Sequence, residues 1–311
     1  MIEFGKELVH DEARALDALA ESLGQEFEDA CRLILDAGGK LIVSGLGKSG
    51  HVARKIAATF ASTGTTATFL HLAEAIHGDL GIAAKGDVAL LISQSGATAE
   101  LEPVIDHFAA VGIPIIAITG NPRSMLGEAA AAPLILPHWP EVGPEAVAPT
   151  TSTTMTLALG DALAMTVMRE KGFTRTDFGR LHPGGLLGAR LKPVRRVMHG
   201  GDQLPLVTED TNMHDVIVVM SEKRLGVVGV TDARGRLVGI ITDGDLRRHI
   251  EQGLDHPAAA FMSADPKTVG PDSLIDDALT LFDEYRITTL FVVDGDRPVG
   301  VLHIHDCPAV R

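Results

Sequence analysis

The chain has 311 residues, 45% of them hydrophobic and 22% charged, which is long enough for two domains and too apolar for intrinsic disorder. Its 41 acidic against 27 basic residues leave a net charge of −14, which argues against nucleic acid and anionic membrane surfaces as partners and requires any anionic ligand to be held by a locally positive site. No apolar run approaches the roughly 20 residues of a membrane span, the opening Met1-Ile2-Glu3-Phe4-Gly5-Lys6 is unlike a signal peptide, and only Cys31 and Cys307 are cysteines, so a reducing cytoplasm is expected.

In chain order, Leu8, Leu16, Leu19, Leu23, Phe27, Ala30 and Ile34 recur near helical spacing and predict a helix over 5–37, stopped by Gly38-Gly39. Strands are expected at 40–44, 66–70, 88–93, 113–119 and 134–136, with helices at 51–62, from Leu101 onward, and at 152–171. This alternation predicts a doubly wound α/β fold with a parallel sheet, whose ligands sit beyond the C-terminal ends of the strands.

Two turns fall at those ends. Gly45-Leu46-Gly47-Lys48-Ser49-Gly50 follows the first strand, and Ser93-Gln94-Ser95-Gly96-Ala97-Thr98-Ala99-Glu100 follows the third. A strand, a hydroxyl-rich turn and a helix start make a phosphate cradle, to which Ser93, Ser95 and Thr98 add donors. Glu100 at its end is a candidate base; the same residues also suit a helix N-cap with a capping acid, and the segment alone leaves both readings open.

Gly184-Gly185 and the basic stretch 190–196 mark a boundary, expected to close a domain at 190. Beyond it a pattern recurs after roughly 60 residues. Val197-Met198 is echoed by Phe261-Met262, and the helical stretch 213–221 by 274–285. The strands at 226–230 and 237–241 return at 289–293 and 298–302. Two small α+β modules are expected, at 197–255 and 261–311.

The repeat resembles a tandem pair of cystathionine-β-synthase-type (CBS) modules, on Met198, Met262, Gly239, Gly300 and Thr242-x-x-Asp245. The resemblance implies a nucleotide or sugar-nucleotide site using Thr242, Asp245 and Asp306, with His303 replacing the second hydroxyl residue. Residues 1–190 resemble a sugar isomerase (SIS) domain, and more narrowly the D-arabinose-5-phosphate isomerases. The carrying segments are 45–50, 57–65, His77-Gly78-Asp79-Leu80-Gly81, 148–154 and His182-Pro183-Gly184-Gly185. The family's usual Ser-Asn-Ser-Gly-Glu is altered here, with Gln94 and Ala97 as the departures.

That resemblance implies an aldose–ketose isomerase on a phosphorylated pentose, feeding 3-deoxy-D-manno-octulosonate synthesis, with no required cofactor and a homo-oligomer, a tetramer in this family. It carries catalytic roles to Lys48, Glu100, Glu141 and His182. Glu100 is expected to transfer the proton, His182 to open the ring or shuttle, and Lys48 to neutralise phosphate or oxyanion. Substrate contacts are expected at Ser44, Ser49, Gly64, Thr65, His77, Ser93, Ser95, Thr98, Thr150, Thr151 and Ser152. His77 is also the expected place for an adventitious inhibitory zinc, although one histidine without neighbours is poor metal spacing. The N-terminal helix is a candidate interface. Two other function classes compete: a sugar-phosphate-sensing regulator, and a CBS-centred nucleotide sensor with the first domain as scaffold.

Overall fold

The computed structural model describes residues 1–182, 184–249, 251 and 253–308, without the side chains of 185–187; Pro183 of the His182–Gly185 motif and the last residues of the second module lie outside them. Two compact units are present, Met1–Thr174 and Arg175–Arg311, so residues 175–190 group with the second.

In the first unit the expected N-terminal helix is two, α1 (Ile2–Glu21) and α2 (Gln25–Leu35). Gly24 is extended between them, and its lack of a side chain makes it a natural break that periodicity alone does not reveal. β1 (Leu41–Gly45), α3 (Gly47–Ser62), β2 (Ala67–His71), α4 (Leu72–Ala75), β3 (Val88–Ile92) and α5 (Leu101–Val111) follow. β4 (Ile115–Thr119), α6 (Met125–Ala129), β5 (Ala132–Ile135) and α7 (Thr151–Glu170) complete it. The strands pair in parallel in the order β2-β1-β3-β4-β5.

β1, β3 and β4 are buried at every position, which is why they read as continuous apolar runs. Leu41, Val43, Leu90, Ile92, Ile116 and Ile118 join the core with α1, α2, α3 and α7. Ile42, Ala89, Leu91, Ile115 and Ala117 point to the other face, where Leu101, Val104, Ile105 and Phe108 of α5 cover them. The order reverses at β1, so the loops after β1 and β3 diverge and leave a crevice between them.

The second unit opens with α8 (Arg175–Leu181) and α9 (Gly185–Arg190). β6 (Leu206–Thr208), α10 (Met213–Lys223), β7 (Val227–Thr231), β8 (Leu237–Thr242) and α11 (Asp243–Arg248) form its first module. β9 (Ser263–Ala264), β10 (Thr268–Val269), α12 (Ile275–Tyr285), β11 (Thr289–Asp294) and β12 (Arg297–His303) form the second. Each sheet has a parallel pair followed by an antiparallel one, with a register shift at the equivalent place in both, between Val230/Thr231 and Val292/Val293.

The module openings are exchanged. Met262 packs on Gly239, β9 pairs with β8, Met198 packs on Gly300, and His199 exchanges two backbone hydrogen bonds of 2.9 Å with Val301. A Cβ on Gly300 would come within 2.5 Å of the Met198 sulfur, so the recurring Met and Gly of the sequence are two halves of one contact.

Candidate active site

A cavity of about 250 Å³ opens where the β1 and β3 loops diverge. It is lined by Lys48 and Ser49 from the first turn of α3, Gln94 from the turn after β3, and Glu141, Ser152 and Thr153 from the segment entering α7. The structure therefore joins Lys48, Ser49, Glu141 and Ser152, four residues from three separate segments of the sequence. α3 starts at Leu46 without a side-chain cap, so its free N–H groups and dipole add positive potential beside the Lys48 ammonium.

Glu141 is the most constrained group. One carboxylate oxygen accepts from the backbone N–H of Thr150 (2.7 Å) and of Ser152 (3.1 Å) and from the Thr150 hydroxyl (3.2 Å); the other accepts from the Ser152 hydroxyl. Burial pushes its pKa up, but the bonds from Ser152 and Thr150 outweigh that and hold it below the usual carboxylate range. Glu141 is thus favoured as an anion, and it caps the N-terminus of α7. A general base works best with a pKa near the operating pH, so this carboxylate suits positioning rather than proton transfer.

The polar groups of the cavity divide sharply. The Thr153 hydroxyl donates to the Thr150 carbonyl (2.8 Å) and the Thr156 hydroxyl to the Ser152 carbonyl (2.7 Å). Thr151, fully buried, accepts from the Val142 N–H through its hydroxyl (3.1 Å). The Lys48 ammonium, the Ser49 hydroxyl and the Gln94 amide have no hydrogen-bond partner among the described residues. Sequence reasoning noted Gln94 only as a departure from the family; its place at the end of a buried strand was the available signal.

The Ser93–Glu100 turn is held largely by its own hydroxyls. Ser93 Oγ accepts from the Gly96 N–H (3.2 Å) and shares a hydrogen bond with Thr98 Oγ1 (3.1 Å). Ser95 is exposed, its hydroxyl accepting from the Ala97 N–H at 3.4 Å. Glu100 is half-buried at the N-cap position of α5 and makes no side-chain capping bond, so the helix has no claim on its carboxylate.

Other expected contacts lie elsewhere. Ser44 is buried within β1 and donates to the Leu70 carbonyl at 2.5 Å. Gly64 and Thr65 precede β2, at the N-terminal ends of the parallel strands and so at the other end of the sheet from the cavity; the Thr65 hydroxyl accepts from Lys171 (2.9 Å) and Phe173 packs on Gly64. His77 is exposed in the turn after α4. No set of three His, Cys, Asp or Glu side chains converges on a metal position among the described residues.

His182 belongs to the second unit, at the end of α8. Its ring stacks on Phe178 with centroids 3.8 Å apart, and Nδ1 lies 2.9 Å from the Phe178 carbonyl. A carbonyl only accepts, so Nδ1 carries the proton in this bond and a neutral ring keeps Nε2 as an acceptor.

Thr242 and Asp245 form a capping box. Thr242 donates from its N–H (2.8 Å) and hydroxyl (2.6 Å) to Asp245, which also accepts from Arg248 and from Ser263 Oγ. His303 keeps that geometry in the second module: its Nδ1 accepts from the His305 N–H (3.2 Å), and Asp306 accepts from the His303 N–H (3.3 Å) and His199 Nε2 (2.9 Å). Between the modules lies a cleft of about 590 Å³ lined by Thr242, His303, Arg224, Arg247, Lys267 and Arg286, among others. Arg224 and Arg286 end α10 and α12 in the left-handed region, at φ 58° and 53°. The cations went unread in the sequence, although Arg224-Leu225 and Arg286-Ile287 are equivalent in the repeat.

Comparison with known proteins places both halves of the chain in families. The SIS domain family matches residues 33–166, and the CBS domain family matches 194–252 and 258–307. An arabinose 5-phosphate isomerase, KdsD, of Pseudomonas aeruginosa is 46% identical over 300 residues, covering 95% of this chain and 92% of that protein. The chain belongs to the arabinose 5-phosphate isomerase family. The KdsD protein of Escherichia coli K12 is 42% identical over 308 residues, with 97% and 93% covered. The structure of the E. coli CFT073 protein c3406 in complex with arabinose 5-phosphate superimposes with a TM-score of 0.57 at 40% identity, covering 58% of this chain and 97% of that one.

Proposed function

We propose that the chain interconverts D-arabinose 5-phosphate and D-ribulose 5-phosphate and serves 3-deoxy-D-manno-octulosonate synthesis for lipopolysaccharide or capsule. The observation that carries this is the cavity at the β1/β3 divergence, which Lys48, Ser49 and Gln94, unpaired among the described residues, share with Glu141, whose carboxyl is held below the usual range. In the forward step a base takes the proton from C2 of the open aldose. The C1 carbonyl becomes an enediolate oxygen, the proton returns at C1, and the O2 proton passes to O1, so that C2 becomes the carbonyl and C1 carries the hydroxyl. Glu100, whose carboxylate the helix does not use, is assigned the proton transfer. Lys48 is assigned the developing negative charge, and His182 ring opening or shuttling through Nε2, which has no hydrogen-bond partner among the described residues. Ser93, Ser95 and Thr98 are assigned to the phosphate.

The chemistry as assigned requires no cofactor, and an exposed His77 is the expected place for an adventitious inhibitory zinc. A homotetramer in the cytoplasm is the expected state; the exposed Met1, Ile2, Phe4 and Val9 of the N-terminal segment support self-association, and the paucity of cysteine supports the compartment. No described helix is long and apolar enough to cross a membrane. The CBS pair is assigned a regulatory or site-covering role, with a nucleotide or sugar nucleotide as ligand; four cationic side chains in its cleft support an anionic one.

The test is a coupled assay of arabinose 5-phosphate conversion by wild type and Glu100→Gln. Turnover by wild type and a loss of about 100-fold or more in the variant are expected. An inactive wild type overturns the assignment, and a fully active variant removes Glu100 as base. Kinetics unchanged by removal of residues 197–311 would count against the role given to the CBS pair.

A further inference from the structure

Hydrogen-bond accounting in the cavity singles out one residue. Glu141 accepts four hydrogen bonds, close to the capacity of a carboxylate, and the hydroxyls of Ser152, Thr153 and Thr156 already donate to Glu141 or to backbone carbonyls. Besides the backbone N–H groups that open α3, three side-chain groups are left for a ligand among the described residues: the Lys48 ammonium, the Ser49 hydroxyl and the Gln94 amide. The ammonium donates only and answers to charge. The amide alone presents a donor and an acceptor in one rigid plane, a match for two neighbouring hydroxyls, one accepting and one donating.

The surroundings of Gln94 keep its peptide fixed and its side chain free. The backbone carbonyl accepts from the Gly120 N–H (3.0 Å) and from the buried Thr119 hydroxyl (3.4 Å). The side chain lies on Gly120: a Cβ there would stand 2.5 Å from Nε2 and 3.0 Å from Cδ of Gln94. Gly120 is therefore the floor that lets the amide reach its position.

We propose that Gln94 is a specificity-determining residue of this isomerase, its amide holding the C3 and C4 hydroxyls of the pentose 5-phosphate, with Gly120 as its positioning residue. The consequence is stereochemical. Protonating the enediolate at C2 on one face gives the arabinose configuration, and on the other face the ribose configuration. The face offered to the acid depends on rotation about the C2–C3 bond, and a hydroxyl anchored at C3 fixes that rotation. Gln94 in this role selects which C2 epimer forms and does not itself move a proton.

This inference rests on the isomerase reading, and the experiment separates the two. Wild type, Gln94→Leu, Gln94→Asn, Gly120→Ala and the Gln94→Leu/Gly120→Ala double variant are given ribulose 5-phosphate, and both aldose 5-phosphates are quantified by NMR. Gln94→Leu is expected to lose about 10- to 100-fold in kcat/KM, the worth of two neutral hydrogen bonds, and to raise the share of ribose 5-phosphate. Gly120→Ala is expected to change the product ratio in the same direction. The double variant is expected to be no worse than Gln94→Leu, because both act on one amide. Gln94→Asn, with a shorter reach, is expected to keep the amide and lose part of the selectivity. An active wild type with unchanged rate and epimer ratio in Gln94→Leu overturns this proposal alone; a wild type inactive on both aldoses overturns the isomerase reading and this proposal with it. If Gly120→Ala does not fold, the Gln94 variants decide the question by themselves.

Discussion

Glu141 shows how a single carboxylate can be committed. Its hydrogen bonds tie the loop before α7 to the first turn of that helix, and they come from donors that a neutral amide cannot all satisfy. Glu141→Gln would turn an N–H₂ toward the Thr150 or Ser152 N–H. A loss of about 1–3 kcal/mol in urea-unfolding stability is expected, together with lower turnover because the cavity wall shifts. A variant as stable and as active as wild type would show that the clamp is idle. In the sequence Glu141 was legible as a family position but not as a clamp, since its partners are nine to eleven residues away across a Pro/Gly-containing loop that carries no periodicity. Lys48, Ser49 and Ser152 were legible because each sits where a strand or loop feeds a helix. Ser44, Gly64 and Thr65 look equally available to a ligand in sequence, but folding spends the two hydroxyls on Leu70 and Lys171, and Gly64 lies against Phe173.

Among the elements, the turn between β3 and α5 is the one most sensitive to a single atom. Gly96 has φ +65°, and a Cβ there would collide with the Ser124 hydroxyl, which already donates to the Asn121 carbonyl at 2.6 Å. Gly96→Ala combines backbone strain with displacement of that hydroxyl, and a destabilisation of more than about 2 kcal/mol is expected. Thermal melting of the purified variant checks it; an unchanged midpoint would mean that the turn can relax. The strands themselves were readable, because burial on both faces leaves unbroken apolar runs in β1, β3 and β4. The α1–α2 break was not, because the apolar stripe passes through Leu23 to Phe27 in helical register while the backbone turns at Gly24. The short strands β6, β9 and β10, of two or three residues, are too brief to leave a pattern.

For the whole molecule, two compact units imply two responses to acid. In the first unit Asp87 accepts from Lys40 and Ala84 and, like Glu141, has a pKa held below the usual range against the upward push of burial. A depressed carboxylate contributes stability above its unfolded pKa and loses it as pH falls through the folded value, so this unit weakens only below about pH 4. In the second unit burial, and then the neighbouring His305, lower the pKa of His303, with His199 acting in the same direction and Asp306 opposing. The neutral ring is the form that caps the His305 N–H, so this contribution is present above about pH 6.5 and fades as pH falls through the lower folded value. Calorimetry over a pH series is expected to show the second unit's transition shifting first; parallel loss in both units would refute it. The sequence announced the repeat and the α/β alternation, but not the acid response, which arises from a histidine standing where the first module has a threonine. The exchanged openings of the two CBS modules carry one more consequence. A fragment ending at 255 would lose Met262 and β9 and leave β8 a bare edge; one starting at 261 would strip Met198 and His199 from β12. Unpaired edges invite strand addition from other chains. The duplicated half is therefore expected to behave as one unit, with stable deletion endpoints outside it rather than between its copies.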